Sequence, residues 1–287
     1  MRNLLYSLMA CLLCALGAQA QVKIAVLHPL LSEMAQAIGG KHVQVAELYP
    51  ANAELHSFSP SPADIAAGSG AKLLLACGKG VEPYLSDLKQ SLSAETRVVE
   101  LGAAIPNVNL PGSSKADPHW WNTPQNMKRA SRTLLRELSA LLPHAKADLR
   151  AGQRKYAADM DALDREARLA FSRIPQEKRV LVTAHAAMCH FCAAYGFTPV
   201  AVHGIAHESE GDPATLAHLL AELRQHQAAC LFTEAISSPR AIQSLADQVG
   251  ATTRPLILDG IHPKLHSYRE IFSFNIRNIA EGLTPTP

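Results

Sequence analysis

Along most of this chain, short apolar runs alternate with longer segments whose apolar residues recur every three or four positions. The runs at 23–27, 43–48, 72–76 and 98–101 read as strands in the first half, and those at 179–183, 199–202, 229–233 and 255–258 as strands in the second. Strands separated by helical segments are the signature of βαβ units and mainly parallel sheets. Four strand candidates on each side predict an α/β protein of two similar (β/α)4-like lobes. Between them, 146–173 has no proline and one glycine, Gly152, and its residues Tyr156, Met160, Leu163, Ala167 and Phe171 form one apolar helical stripe. At about 1.5 Å per residue this helix is about 40 Å long, enough to run along two lobes. It is the predicted link between an N-terminal lobe at 21–145 and a C-terminal lobe at 174–287. A helical link is stiff, so large hinge closure is discouraged.

The pattern differs at the N-terminus. Arg2, an apolar stretch from Leu4 to Leu16 and the small-residue site Ala18-Gln19-Ala20 predict a secretory signal peptide over 1–20 and a mature chain starting at Gln21. The stretch is too short for a stable membrane anchor. Leu8-Met9-Ala10-Cys11 resembles a lipoprotein cleavage box, but the apolar run continues past it through Leu12 and Leu13. With 27 Lys+Arg against 25 Asp+Glu there is no basic excess to neutralise phosphates, which speaks against nucleic-acid binding. Cys77, Cys189, Cys192 and Cys230 would remain after cleavage, in a compartment where disulfides persist, and spacing does not choose among their pairings. Cys77 and Cys230 lie in apolar runs and read as small buried hydrophobes.

Candidate chemistry sits where the apolar runs stop. His56 follows Glu54-Leu55, His119 lies in Asp117-Pro118-His119-Trp120-Trp121, His185 follows Val182-Thr183-Ala184, and Asp259 follows Leu256-Ile257-Leu258. In parallel sheets functional groups gather beyond the carboxyl ends of the strands. Each lobe would then offer two of these residues to the cleft between them. Three imidazoles and a carboxylate suit a borderline-soft divalent ion, zinc first. Taken singly, each residue also has a plain structural reading: a cap, a packed loop anchor before the tryptophans, or, for Asp259-Gly260, a turn. Glu234 ends a strand candidate in the cleft region, where it would orient a ligand histidine or form a structural salt bridge.

Three further features carry weaker signals. His207 with Glu208 and Glu210 reads as ordinary surface or as an exposed low-affinity metal collection point. Cys189-His190-Phe191-Cys192 offers a redox dithiol or a second metal site. His185 is expected to occupy the helix-opening position that a redox motif takes, which favours buried thiols or a local disulfide. A secreted zinc hydrolase, with Glu234 as general base, is the rival function. It needs an open metal position, and the chain has no His-Glu-x-x-His, Gly-x-Ser-x-Gly or P-loop.

Several segments together resemble one family, the periplasmic zinc and manganese substrate-binding proteins of ABC importers of the cluster A-I type. They are His56-Ser57-Phe58-Ser59-Pro60-Ser61-Pro62, Asp117-Pro118-His119-Trp120, Thr183-Ala184-His185-Ala186-Ala187 with Tyr195-Gly196-Phe197, and Leu258-Asp259-Gly260. The resemblance spans essentially the whole mature chain. It implies two α/β lobes joined by one long helix, a buried metal site between them, and His56, His119, His185 and Asp259 as the ligands. It further implies a non-enzymatic, monomeric periplasmic receptor that delivers Zn2+, or alternatively Mn2+, to an ABC permease in the inner membrane, with room for a periplasmic metallochaperone as a further partner. Manganese-selective members place a carboxylate at the position of His185. The chain departs from zinc-specific members in lacking their long histidine- and acid-rich loop, having only Gly112-Ser113-Ser114-Lys115 before the second motif.

Overall fold

The computed structural model describes residues 21–49, 55, 58–203, 213–234, 240–260 and 262–284. The signal-peptide expectation at 1–20 and the site candidates His56 and His207 lie outside the described residues.

The first half contains β1 (Val22–Val26), α1 (Pro29–Gly39), β2 (Val43–Glu47), α2 (Pro62–Ala67), β3 (Leu73–Ala76), α3 (Leu85–Ser91), β4 (Arg97–Glu100) and α4 (Pro124–Leu141). A long helix α5 (Lys146–Phe171) follows. The second half contains β5 (Val180–His185), α6 (Cys189–Tyr195), β6 (Thr198–His203), α7 (Pro213–Gln225), β7 (Cys230–Glu234), α8 (Arg240–Val249), β8 (Thr252–Leu256) and α9 (Tyr268–Leu283). Among the described residues the strands form two four-stranded sheets, ordered β2-β1-β3-β4 and β6-β5-β7-β8, with every strand pairing in them parallel. The last strand starts earlier than the apolar run suggested. Thr252, Thr253 and Arg254 lie on an edge strand and stay partly solvated, so no hydrophobic signal marks them. No helix among the described residues is long and apolar enough to cross a membrane.

The near-continuous apolar character of the inner strands has a direct cause, because each sheet is covered on both faces. Side chains alternate across a strand. On β1, Ile24 and Val26 point into the main core while Ala25 and Leu27 join a second cluster with Leu48, Leu85 and Leu88. On β5, Leu181 faces the main core and Val180 and Val182 face an outer cluster with Leu219, Leu223 and Leu245. The main core is continuous between the lobes: it includes Leu73 and Leu75 of one sheet, Phe232 of the other, and Trp120, Trp121, Met160 and Phe272.

Helix α5 is the backbone of this arrangement. Tyr156, Met160, Leu163, Ala167 and Phe171 are all buried, and the helix packs on α1 and α4 of the first half and on α9 of the second. Gly152 marks where α1 ends against it. A Cβ there would lie 2.7 Å from the Ala37 carbonyl oxygen and 2.8 Å from that of Ile38. In an exposed helix, Gly→Ala gains about 1 kcal/mol from helix propensity. Here the obstacle is rigid main chain, and overpacking of this kind costs about 1–3 kcal/mol. Gly152→Ala should therefore lower the thermal midpoint, and Gly152→Val lower it further; a rise for the alanine variant would show that α1 and α5 are not in this close contact.

Candidate metal site

Both sheets reverse strand order at their second and third strands, and the groups of interest lie at the carboxyl ends around those switch points, where parallel sheets leave a crevice. His28 follows β1 and His185 ends β5. Thr183 Oγ1 donates to the His185 carbonyl at 2.8 Å and Ala187 N–H to the same oxygen at 3.0 Å, which sets the turn leaving the strand. The β5–β7 register pairs Thr183 with Phe232, so two residues on, Glu234 stands level with His185. The two side chains meet, His185 Nδ1 against Glu234 Oε1.

His119 is held by its own motif. Asp117 Oδ1 accepts the His119 main-chain N–H at 2.9 Å and its Nδ1–H at 2.7 Å. The two tryptophans that follow are fully buried anchors: Trp120 Nε1–H donates to the Cys77 carbonyl at 3.1 Å and Trp121 Nε1–H to the Leu258 carbonyl at 2.9 Å. Their bulk keeps the His119 ring in place, with ring centroids 5.3 Å from Trp121 and 5.2 Å from His185.

His119, His185 and Asp259 each offer a donor atom, all within 4.8 Å of one another. Asp259 Oδ1 is 3.9 Å from His119 Nε2 and 3.6 Å from His185 Nε2. A tetrahedral ion with bonds of about 2.0–2.1 Å separates its donors by about 3.3 Å, so small adjustments bring these three onto one ion. In both imidazoles the far nitrogen, Nδ1, faces a carboxylate, Asp117 or Glu234, which directs Nε2 into the cleft. Three of the four expected site residues thus come together; His56 is outside the described residues.

The electrostatics suit a cation. Burial raises the cost of charge on Asp117, but the hydrogen bonds and charge of His119 outweigh it and hold the carboxyl below its usual range. Burial likewise opposes protonation of His185, yet Asp259 and Glu234 outweigh it and push the imidazole up to about 10. His28 shows the opposite balance. Desolvation dominates and pushes it down to about 4, so it is neutral near pH 7.

Two residues of this centre were not singled out from the sequence. His28 ends the apolar run 24–27 as the other candidates end theirs, and that was the available signal. Asp117 lay inside the motif, but its contact with the second lobe is not visible in a string of residues. In the Cys-x-x-Cys segment, contrary to the expectation that His185 takes the helix-opening position, Cys189 itself opens α6, because β5 ends at His185 and residues 186–188 link the two elements. The positional objection to a redox dithiol therefore falls, but the chemistry does not favour one. Cys189 and Cys192 are buried free thiols, and desolvation pushes Cys189 up to about 12 and Cys192 well above the usual thiol range. Cys77 and Cys230 are also buried and free.

Two parallel α/β lobes braced by one long helix, with nitrogen and carboxylate donors converging between them, define a two-lobed binding-protein fold whose donor set suits a small cation. The chain belongs to the family described as zinc-uptake complex component A, periplasmic, whose model matches residues 24–282. Its relatives include the iron-binding protein YfeA of Yersinia pestis, 28% identical over 91% of this chain and 86% of the relative. Another is the metal ABC transporter substrate-binding lipoprotein FimA of Streptococcus parasanguinis, 26% identical over 98% of this chain and 96% of that one. Among solved structures, the periplasmic zinc-binding protein TroA of Treponema pallidum superposes with a TM-score of 0.84 at 22% identity, covering 93% of this chain and all (100%) of that one. A zinc-bound ZnuA deletion mutant gives 0.83 at 25% identity, again with 93% and 100% coverage. The chain is a metal-binding receptor of an ABC importer, a class that works with an inner-membrane permease and is not enzymatic. Family membership thus closes the hydrolase alternative.

The charge on His185 has a measurable consequence. Because its folded-state value lies above the unfolded value of about 6.5, the protonated ring stabilises the metal-free fold fully below that pH and loses the contribution as pH rises towards 10. Thermal melts of chelator-treated protein should show stability falling across that window by up to about 1.4 kcal/mol per pH unit, and His185→Gln should flatten the slope. Equal slopes in the two proteins would rule out this charge state.

Proposed function

We propose that this protein is a periplasmic high-affinity zinc receptor that hands its ion to an ABC permease, with His56, His119, His185 and Asp259 as the four ligands. The observation that carries the reading is His185: an imidazole, backed by Glu234, faces the same point as His119 and the Asp259 carboxylate. Nitrogen-rich donor sets favour zinc over manganese both by softness and by the general affinity order. Glu234 and Asp117 serve as the outer partners that fix the two rings. His207 remains at most a low-affinity collection point. We further assign export to a signal peptide over 1–20, and division of the chain at the linking helix into lobes 21–145 and 174–287.

A second reading, manganese, is favoured by a specific observation. Curated relatives that match over nearly the whole chain carry manganese names, such as PsaA of Streptococcus mitis, 25% identical over 92% of this chain and 89% of the relative. The short loop at 112–115, without histidine, also lacks the accessory donors of dedicated zinc proteins. Against it stands the nitrogen at position 185.

Competition between the two ions at equal free concentration should leave zinc bound far more tightly, and His185→Glu should narrow the gap by supplying an oxygen-rich set. Equal affinity in the unaltered protein would favour the manganese reading. Replacing both His119 and His185 by Ala should weaken zinc by more than about 100-fold, since even the outer partners of a ligand are worth about 10–100-fold. Retention of wild-type affinity by that double variant would rule out the ligand set. Near neutral pH, zinc binding should also release about one proton from His185, read as a buffer-dependent heat in calorimetry.

A further inference from the structure

His28 uses both ring nitrogens. Nδ1 accepts the Leu30 N–H at 3.2 Å, capping α1, so the ring proton resides on Nε2. Nε2–H reaches across to the main-chain carbonyl of Asp259 at 2.9 Å. The preceding carbonyl, Leu258, is held by Trp121 Nε1–H at 2.9 Å. Two successive peptide groups of the second lobe are therefore pinned by ring donors of the first. Gly260 completes the contact: its φ is +69°, and a Cβ there would lie 2.5 Å from Leu30 Cδ1 and 3.1 Å from His28 Cε1. The ring is buried and packs 5.0 Å from Trp121, so it cannot swing away without opening the core.

We propose that His28 is a positioning residue for metal binding: from the first lobe it holds the main chain of Asp259, so that the carboxylate sits at the distance from His119 and His185 that one ion requires. It does not touch the ion, because both its nitrogens are engaged elsewhere. This inference rests on Asp259 being a ligand, and the test separates the two claims.

Two substitutions divide the two jobs of the ring. His28→Asn keeps a strong helix cap but is too short to reach Asp259. His28→Gln places an amide N–H near the position of Nε2 but caps poorly. The measurements are zinc affinity by chelator competition, zinc release rate into excess chelator, and the thermal midpoint of the metal-free protein, with Asp259→Ala as reference. His28→Asn should weaken zinc by about 10–100-fold and speed release, the size expected for loss of a ligand's outer partner. His28→Gln should stay within about threefold of wild type in affinity, whatever its midpoint. A purely structural role predicts that affinity follows the midpoint, and that pattern would overturn the proposal. So would wild-type zinc binding by His28→Asn when Asp259→Ala has lost it. His28→Phe, which fills the pocket without either nitrogen, should match the asparagine variant; wild-type binding there also counts against the proposal. Wild-type binding by Asp259→Ala would remove the ligand reading and this inference together.

Discussion

Three carboxylates buried between the lobes set the terms for the rest of the molecule. Asp117 is fully buried, Glu234 nearly so, and the Asp259 side chain is 12% exposed. Anionic groups removed from water need positive charge or convergent N–H donors, or they neutralise. Asp117 receives the His119 N–H and Nδ1–H from its own loop and the Cys189 N–H, at 2.9 Å, from the start of α6 in the other lobe. Glu234 and Asp259 share His185. The interior thus has a standing demand for cationic charge, met by a proton on His185 when no metal is bound. With the proposed ligand set, capture of a divalent ion would exchange one positive charge for a larger one.

The same bonds join the lobes. Besides Asp117 with α6, Asn122 donates to the Ala187 carbonyl at 2.9 Å, and Tyr268 Oη–H donates to the Trp121 carbonyl at 2.8 Å. The segment from Asp117 to Asn122 belongs to the first lobe by sequence but is bonded to strand-end loops of the second. Together with a shared apolar core and a helix packed on both halves, this leaves little freedom for lobes that open like jaws. Preorganisation of this kind reduces the ordering cost of binding. A buried, prearranged donor set also suits an ion, which offers no shape to close around and is held by a few short bonds.

Much of the architecture was legible because local rules determine it. Strands covered on both faces are near-continuously apolar, so β1, β3, β5 and β7 declare themselves by their apolar runs. The stripe from Tyr156 to Phe171 declares α5, because one face of a helix must be buried. The start of edge strand β8 is not legible in the sequence, because a partly solvated edge carries no such mark. The pairing of His119, His185 and Asp259 was foreshadowed by polar residues at strand ends, where a parallel sheet leaves open space.

What the sequence by itself determined is therefore the set of elements, their parallel assembly and the donor types available: imidazole at 119 and 185, carboxylate at 259. Tertiary structure alone decided which groups stand behind those donors. Asp117 faces Cys189 across 72 residues of chain and His28 holds Asp259 across 231. No periodicity encodes such contacts, because they depend on how two lobes are docked and not on how any one element folds. The charge of His185 and the neutrality of His28 have the same origin: identical side chains at similar strand ends differ because one is enclosed by carboxylates and the other by tryptophan, tyrosine and main chain.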